Sequence, residues 1–245
     1  MLFRELWERI ANDITGKHPK SRNGNEYMLT VMDHFSKLAE AYLLRDHKAP
    51  TAAKVMVEQL FRHFGMTYQL FSDQGPEFGS DLFLEMCRWM DIDKIRTSPY
   101  RPACNGMLAR YHRTLNSMLG KIVEENQKDW DTKVKFLMTA YQASVHEATG
   151  NTSNFLTLSR ETREPLDIII GPPKEETDLW DSHDSFIADQ QERMRIAYAA
   201  ARENLRRCAE RRTKTYKLRV RKQEIKPGAW VWYYYPSHWP GRSPK

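Results

Sequence analysis

The sequence lacks the features that mark several classes of protein. Its 245 residues include three cysteines, Cys87, Cys104 and Cys208, which are widely spaced and form no C-x-x-C pair. We therefore expect reduced thiols in an intracellular protein. The eight histidines show no paired spacing with these cysteines, which excludes a zinc-finger module. No run of about 18 apolar residues is present, so no helix is predicted to span a membrane.

The first residues also lack the apolar region of a secretion signal. Residues 1–11 carry four charged side chains, so we expect no secretion. Apolar residues nevertheless make up 40% of the chain, which is enough for a hydrophobic core. The length suits one good-sized domain with extra elements, or two small domains.

Positive charge is concentrated in one segment. Residues 186–222 contain 12 Lys or Arg against four Asp or Glu, a net charge of +8, whereas the whole chain carries +6. The rest of the chain is therefore slightly negative. A basic helical face can bind the phosphate backbone of DNA, and it can also be an ordinary solvated face. The charge pattern alone leaves both interpretations open.

The hydrophobic pattern predicts an α/β sheet with helices on both faces. Strands are predicted at 8–14, 27–32 and 38–44, at a short run that ends with Phe71, and at 93–97. Helices are predicted at 50–64, 80–89, 102–124 and 130–145. Ser80 is expected to cap the second helix, whose apolar face is predicted to contain Leu82, Phe83, Met86 and Trp89.

The last third of the chain changes character. A Pro-rich and acidic stretch within 166–184 is typical of a linker. Residues 185–222 predict one long basic helix. Its apolar seam near coiled-coil spacing is either a dimer contact or a surface that packs back on the core. The seam consists of Ile187, Met194, Tyr198, Ala201, Leu205 and Cys208.

Two acidic residues sit where α/β sheets place their ligands. Asp13 lies in the first predicted strand, and Asp73 follows the central strand just before a Gly turn, at the carboxyl edge of the sheet. The plain alternative for Asp73 is a turn-forming role, and Asp33 and Glu77 are interpreted as turn and cap groups. Two strand carboxylates and one helix carboxylate are a way to hold two Mg²⁺ ions.

The chain resembles a known family from about Trp7 to Lys245. The motifs that carry the resemblance are D-I-T-G (13–16), N-G-N-E-Y (23–27), D-H-F-S-K (33–37), S-D-Q-G-P-E-F (72–78), S-P-Y-R-P-A-C-N-G (98–106), R-Y-H-R-T-L (110–115) and H-E-A-T-G (146–150). They are similar to those of the integrase of a gypsy-type long-terminal-repeat retrotransposon. The resemblance implies a ribonuclease-H-like fold with a mixed five-stranded sheet, and DNA strand transfer with Mg²⁺ or Mn²⁺.

The resemblance assigns the metal-binding carboxylates and exposes a departure. It gives Asp13 and Asp73 the first two positions and implies a Glu after a further 35 intervening residues. Ala109 occupies that third position. Because alanine offers no oxygen ligand, and no Asp or Glu lies between Asp93 and Glu124, we expect weak binding of a single metal and impaired catalysis.

The resemblance also implies domains and partners. Residues 1–165 are expected to form the catalytic core, 166–184 the linker, 185–222 the basic helix, and 223–245 the first strand of a truncated C-terminal β-barrel. DNA, as element ends and target, is the implied partner, together with self-association, a nuclear location and no membrane. The candidate DNA-contacting residues are Asn105, Arg110, His112, Arg113, Lys121, Arg206, Arg207, Arg211 and Arg212.

Three functions stay open at this stage. The first is an integrase core whose fold is intact and whose chemistry is disabled. The second is a still-active strand transferase that recruits a substitute ligand. The third is a non-enzymatic protein whose fold and long helix serve assembly.

Overall fold

A five-stranded mixed sheet forms the centre of the protein. The computed structural model describes residues 3, 5–97, 106–163, 183–219, 228 and 230. The strands are β1 (Arg9–Gly16), β2 (Tyr27–Asp33), β3 (Ala39–Leu44), β4 (Gln69–Ser72) and β5 (Asp93–Arg96), in the order β3-β2-β1-β4-β5. The β1–β2 and β2–β3 pairs are antiparallel, whereas β1–β4 and β4–β5 are parallel. The predicted mixed five-stranded sheet is confirmed.

Helices connect and cover these strands. They are α1 (Ala49–Val55), a π-helical segment (Met56–Phe61) continuous with α2 (Arg62–Phe64), α3 (Pro76–Gly79), α4 (Asp81–Trp89), α5 (Gly106–Ile122), α6 (Trp130–Ala143), α7 (Ser153–Leu158) and α8 (His183–Arg219). Pro50 lies in the first turn of α1, where its missing N–H costs nothing. Ser80 caps α4 by accepting a hydrogen bond from the Phe83 N–H, as predicted.

The two faces of the sheet carry separate cores. Along β1, Ile10 points to one face, where it packs with Phe83 of α4. Ala11 points to the other face, where it lies under α5 and α6 with Leu108 and Trp130. Because successive strand residues alternate between faces, one strand supplies both cores. The predicted helices on both faces are therefore confirmed.

The middle of α8 packs back on the core. Ala197 and Ala201 are buried against Phe35 and Leu156. The Tyr198 hydroxyl donates to the Leu156 carbonyl over 3.1 Å. Of the two roles left open for the seam, this part of the helix takes the intramolecular one. No helix of the described ranges combines the length and the apolar character that a membrane crossing needs.

One prediction about a helix face was wrong, and one short helix was missed. Trp89 was predicted in the apolar face of α4, but it is 87% exposed, and Leu82 is 51% exposed. The buried side chains of α4 are Phe83 and Cys87, one helical turn apart, and these define the face toward the sheet. The short helix α7 was not predicted, because six residues give too little periodicity to detect.

The C-terminal third is described in part. The predicted helix 185–222 is found at His183–Arg219 and so begins within the predicted linker 166–184. The rest of that linker lies outside the described residues. The strand predicted at 229–235 also lies outside them, apart from Trp230, so this strand stays a prediction.

Candidate metal and nucleic-acid site

Strand register brings Asp13 and Asp73 together. Asn12 of β1 pairs in parallel with Ser72 of β4, so the next residue along each strand is one of the two acids. Neighbouring strands lie about 4.8 Å apart, and residues at matching positions point to the same face. For Asp13 this is the face of Ala11, on the side of α5. The two carboxylates therefore meet at the carboxyl end of the parallel strands.

The Asp13 carboxyl lies in a strongly negative environment. Burial is the largest cause that raises its pKa to about 7, and the charges of Asp73 and Glu77 add to the shift. A hydrogen bond from the Ile14 backbone acts in the opposite direction. Asp13 therefore binds a proton more readily than an exposed aspartate does. A cation bound beside Asp13 would offset the part of this shift that the neighbouring carboxylates cause.

His112 fixes the position of α5 over Asp13. Its Nδ1 lies 3.7 Å from Asp13 Oδ2, and its Nε2 lies 2.7 Å from the Thr30 hydroxyl oxygen. Thr30 donates its own proton to the Asp13 carbonyl, so Nε2–H is the donor and Nδ1 faces the carboxyl unprotonated. Burial lowers the pKa of His112 to about 4. The pair is therefore a contact of a neutral imidazole and not a salt bridge.

Ala109 stands one helical turn before His112. Residues three apart on a helix share a face, so Ala109 belongs to the face of α5 that contacts Asp13. Its side chain is exposed. The position thus offers a methyl group at the edge of the carboxylate pair.

Glu77 is a third acid that the sequence interpretation set aside. Asp73 Oδ1 accepts a hydrogen bond from the Gly75 N–H over 2.9 Å. A Cβ at Gly75 would lie 2.7 Å from Glu77 Oε1 and 3.1 Å from Asp73 Oδ1, so both carboxylates close around this glycine. The signal was present in the sequence, since Glu77 follows Asp73 by four residues within one motif. By contrast, the turn role of Asp33 is confirmed, because its carboxylate accepts two hydrogen bonds from Ser36.

The donor set fits one hard cation. Carboxylate oxygens are the ligands that Mg²⁺ and Mn²⁺ prefer, and Asp13 and Asp73 supply them side by side. Among the residues that the structure describes, no group of three His, Cys, Asp or Glu is arranged to hold a metal ion. The role of the pair as metal ligands stays a prediction.

The predicted DNA-contacting residues are spread over several environments. Arg113 and Lys121 are exposed on α5, whereas the His112 side chain is 14% exposed and directed inward, which argues against a direct DNA contact. Asn105 lies outside the described residues. The four predicted arginines of α8 divide into two pairs, Arg206 with Arg207 and Arg211 with Arg212. Arg110 of α5 lies with the second pair.

The first pair of helix arginines is engaged within α8. Arg206 contacts Glu203 and Glu210 at 2.7 and 2.6 Å, and Arg207 contacts Glu203 at 2.8 Å. Arg211 and Arg212 instead line a cavity against the core together with Arg110. No measurement of DNA binding tests these assignments, so they stay predictions.

Comparisons with known proteins place these features in context. Residues 8–102 match the family described as "Integrase core domain". The retrovirus-related Pol polyprotein from transposon 412 of Drosophila melanogaster is 26% identical over 233 residues, which cover 91% of this chain and 18% of that protein. The Pol polyprotein of feline endogenous virus ECE1 is 35% identical over 108 residues, 44% of this chain and 10% of that protein. The chain thus spans less than a fifth of the length of either relative.

A solved structure supports the fold alone. The cryo-electron-microscopy structure of the simian T-cell lymphotropic virus intasome in complex with PP2A regulatory subunit B56 gamma contains a similar chain. The likeness has a TM-score of 0.55 and 20% identity, and it covers 67% of this chain and 59% of that one.

Proposed function

Because residues 8–102 belong to the integrase core domain family, we propose that this chain is the integrase part of a gypsy-type retrotransposon polyprotein, with impaired catalysis. Its similarity to the retrovirus-related Pol polyprotein from transposon 412 covers 91% of its length. The proposal adds that the core binds a single divalent metal weakly, binds DNA, and does not join DNA strands at a useful rate.

One observation carries the proposal. Asp13 and Asp73 lie side by side, and the face of α5 that contacts Asp13 presents Ala109 where a third carboxylate would complete the site. Such a metal, when bound, supplies positive charge that stabilises the phosphate oxygens of a DNA strand during transfer. Asp13 and Asp73 would hold it, and the hydrogen bond between His112 and Thr30 would keep α5 in place beside them.

Metal-binding calorimetry tests the defect. The wild-type chain and Ala109→Glu are titrated with Mn²⁺, and Ala109→Gln serves as a control of similar size without the charge. We expect one weakly bound ion in the wild type and in Ala109→Gln, and a second bound ion in Ala109→Glu. Equal stoichiometry in all three proteins would contradict the assignment of position 109. Asp13→Asn is expected to abolish binding of the first ion.

A strand-transfer assay with labelled duplex ends tests the consequence for activity. Transfer by the wild type is expected to be at least about 100-fold slower than by Ala109→Glu, since one charge-stabilising group commonly contributes a factor of this size. If Ala109→Glu gains the second ion and still transfers no strand in Mg²⁺ or Mn²⁺, more than this residue is impaired.

A second candidate is a still-active transferase with a substitute ligand, and Glu77 favours it. Its charge acts on Asp13, and its carboxylate lies beside that of Asp73 around Gly75. In this case the wild type transfers strands, and Glu77→Gln abolishes transfer without changing the unfolding free energy. Wild-type activity that survives Glu77→Gln would exclude Glu77 as the substitute.

DNA binding and self-association complete the proposal. The net charge of +8 in residues 186–222 supports a phosphate contact. A nuclear location, which the family resemblance implies, is part of this proposal. In a salt titration, log K for duplex DNA is expected to fall by about 0.9 per phosphate contacted, per unit of log salt concentration. Affinity that is absent or independent of salt would favour a protein that serves assembly only, and sedimentation at increasing concentration measures the self-association.

A further inference from the structure

A cavity of about 540 Å³ lies between the core and the C-terminal half of α8. Its walls come from the turn after β2, from α5, from the segment after α6, and from α8. It is separate from the carboxylate pair. Arg110 lines it, whereas His112 contacts Asp13, and two residues along a helix correspond to a rotation of about 200°. The cavity therefore lies toward the other side of α5.

Four cationic side chains converge on this cavity. Lys37 is 7% exposed, and its Nζ donates to the His34 carbonyl over 2.5 Å. Arg110 enters from α5, and Arg211 and Arg212 enter from α8. Burial is the main cause that lowers the pKa of Arg110, and the charge of Arg212 adds to it. The cations are thus close enough to repel one another.

The acids around the cavity do not neutralise it. Glu147 is the one acidic side chain among its described lining residues. Asp33 does not line the cavity, but its charge acts on Lys37. Within the described ranges, Arg110, Arg211 and Arg212 form no salt bridge with any acid. The excess is therefore about two positive charges held at a concave surface.

This arrangement differs from an ordinary solvated face. On the same helix, Arg206 and Arg207 have acidic partners at one-turn spacing. The charges of Arg110 and Arg212 act against the buried Lys37 ammonium, whereas that of Asp33 supports it, and the remaining excess of positive charge favours an anion as a further occupant of the site. His146 adds a neutral imidazole to the wall, because burial lowers its pKa to about 4.

We propose that this cavity between α5 and α8 is an anion site that binds a phosphate-bearing ligand. Guanidinium groups match phosphate oxygens with two parallel hydrogen bonds, and a lysine supplies a point charge. The phosphate comes either from a free polyphosphate or from the backbone of bound DNA. The site does not depend on the metal proposed for Asp13 and Asp73, so it can be tested independently of the proposed catalytic defect.

Binding of inorganic tripolyphosphate to the full chain tests the site. Calorimetry in a buffer free of phosphate is expected to give one bound tripolyphosphate per chain. Arg212→Gln and Arg110→Gln are each expected to weaken binding by about tenfold, because each removes charged hydrogen bonds. Arg195→Gln is the matched control, since it removes the same charge from the same helix outside the cavity. It is expected to bind like the wild type.

Competition with a DNA duplex identifies the source of the phosphate. If tripolyphosphate displaces the duplex and Arg212→Gln weakens both ligands by the same factor, the phosphate belongs to DNA. If the duplex affinity is unchanged by Arg212→Gln, the ligand is a free polyphosphate. An absence of tripolyphosphate binding at millimolar concentration overturns the proposal. An equal loss in Arg195→Gln and Arg212→Gln also overturns it, because binding would then follow the overall charge.

Discussion

Replacing the buried lysine of the anion site gives a sharp test of its electrostatics. Lys37 lies in the turn between β2 and β3, and burial is the largest cause that lowers its pKa to about 8. Arg212 and Arg110 act in the same direction, whereas Asp33 opposes them. Lys37→Met keeps a side chain of similar length and removes the charge.

The sign of the effect follows from proton linkage. An unfolded lysine has a pKa of about 10.4, so between about pH 8 and pH 10.4 the unfolded chain binds more protons than the folded one. Folding stability due to Lys37 therefore rises with pH across this window. Below it the full penalty of about 3 kcal/mol is present. Lys37→Met removes that penalty. It loses the hydrogen bond to the His34 carbonyl, worth about 1 kcal/mol, and the weak contact with the Met107 sulfur, so a net gain of about 2 kcal/mol is expected near pH 7.

Urea unfolding at two pH values measures both quantities. The buffers contain no phosphate, so that the anion site is not filled. Near pH 9 the wild type regains about 1 kcal/mol of unfolding free energy relative to pH 7, and the stability difference between the two proteins narrows by that amount. Lys135→Met, which removes the charge of an exposed lysine, is the matched control. If Lys37→Met is less stable than the wild type near pH 7, or if the stability difference does not change with pH, then the Lys37 charge does not destabilise the folded state.

Three further predictions concern stability, each measured by urea unfolding. Both polar atoms of the Asn12 side chain are buried without a partner among the described residues, so Asn12→Val is expected to raise the unfolding free energy by about 1 kcal/mol; a loss would reveal a hidden partner. Asp131 Oδ2 accepts three side-chain hydrogen bonds at 2.6 to 3.0 Å. Asp131→Ala is therefore expected to lower the unfolding free energy by about 3 kcal/mol. An effect near zero would show that solvent replaces those bonds. Phe83→Ala is expected to cost about 3 to 5 kcal/mol and Trp89→Ala less than about 0.5 kcal/mol, and a reversed order would contradict the observed face of α4.

The acid pair was predictable from sequence for a definite reason. Asp73 directly follows β4, and Asp13 lies in β1 immediately after the last residue that pairs with β4, so the parallel register places the two acids side by side. The stripe of α5 was predictable too, because Leu108, Tyr111 and Leu115 repeat at helical spacing and all three are buried. Both results depend on patterns that are local in the chain.

The other features depend on contacts between distant segments. The partnership of His112 with Asp13 spans 99 positions in the chain, and no periodicity encodes it. The cavity around Lys37 needs α8 to dock, and hydrophobic spacing left that docking undecided. Trp89 was wrongly predicted to lie in the buried face of α4, because a large apolar side chain at the end of a helix can either join the apolar stripe or be exposed to solvent.

The anchoring of α8 has a mechanical consequence. The helix is fixed near Ala201 and Asn204, whose side-chain amide donates to the Thr149 carbonyl over 2.9 Å. Fifteen residues of continuous helix then run from Asn204 to Arg219, a length of roughly 22 Å. A tilt of a few degrees about this fixed region would displace Arg219 further than it displaces the residues next to Asn204. A ligand bound beside Arg211 and Arg212 would restrict the angle of this part of the helix.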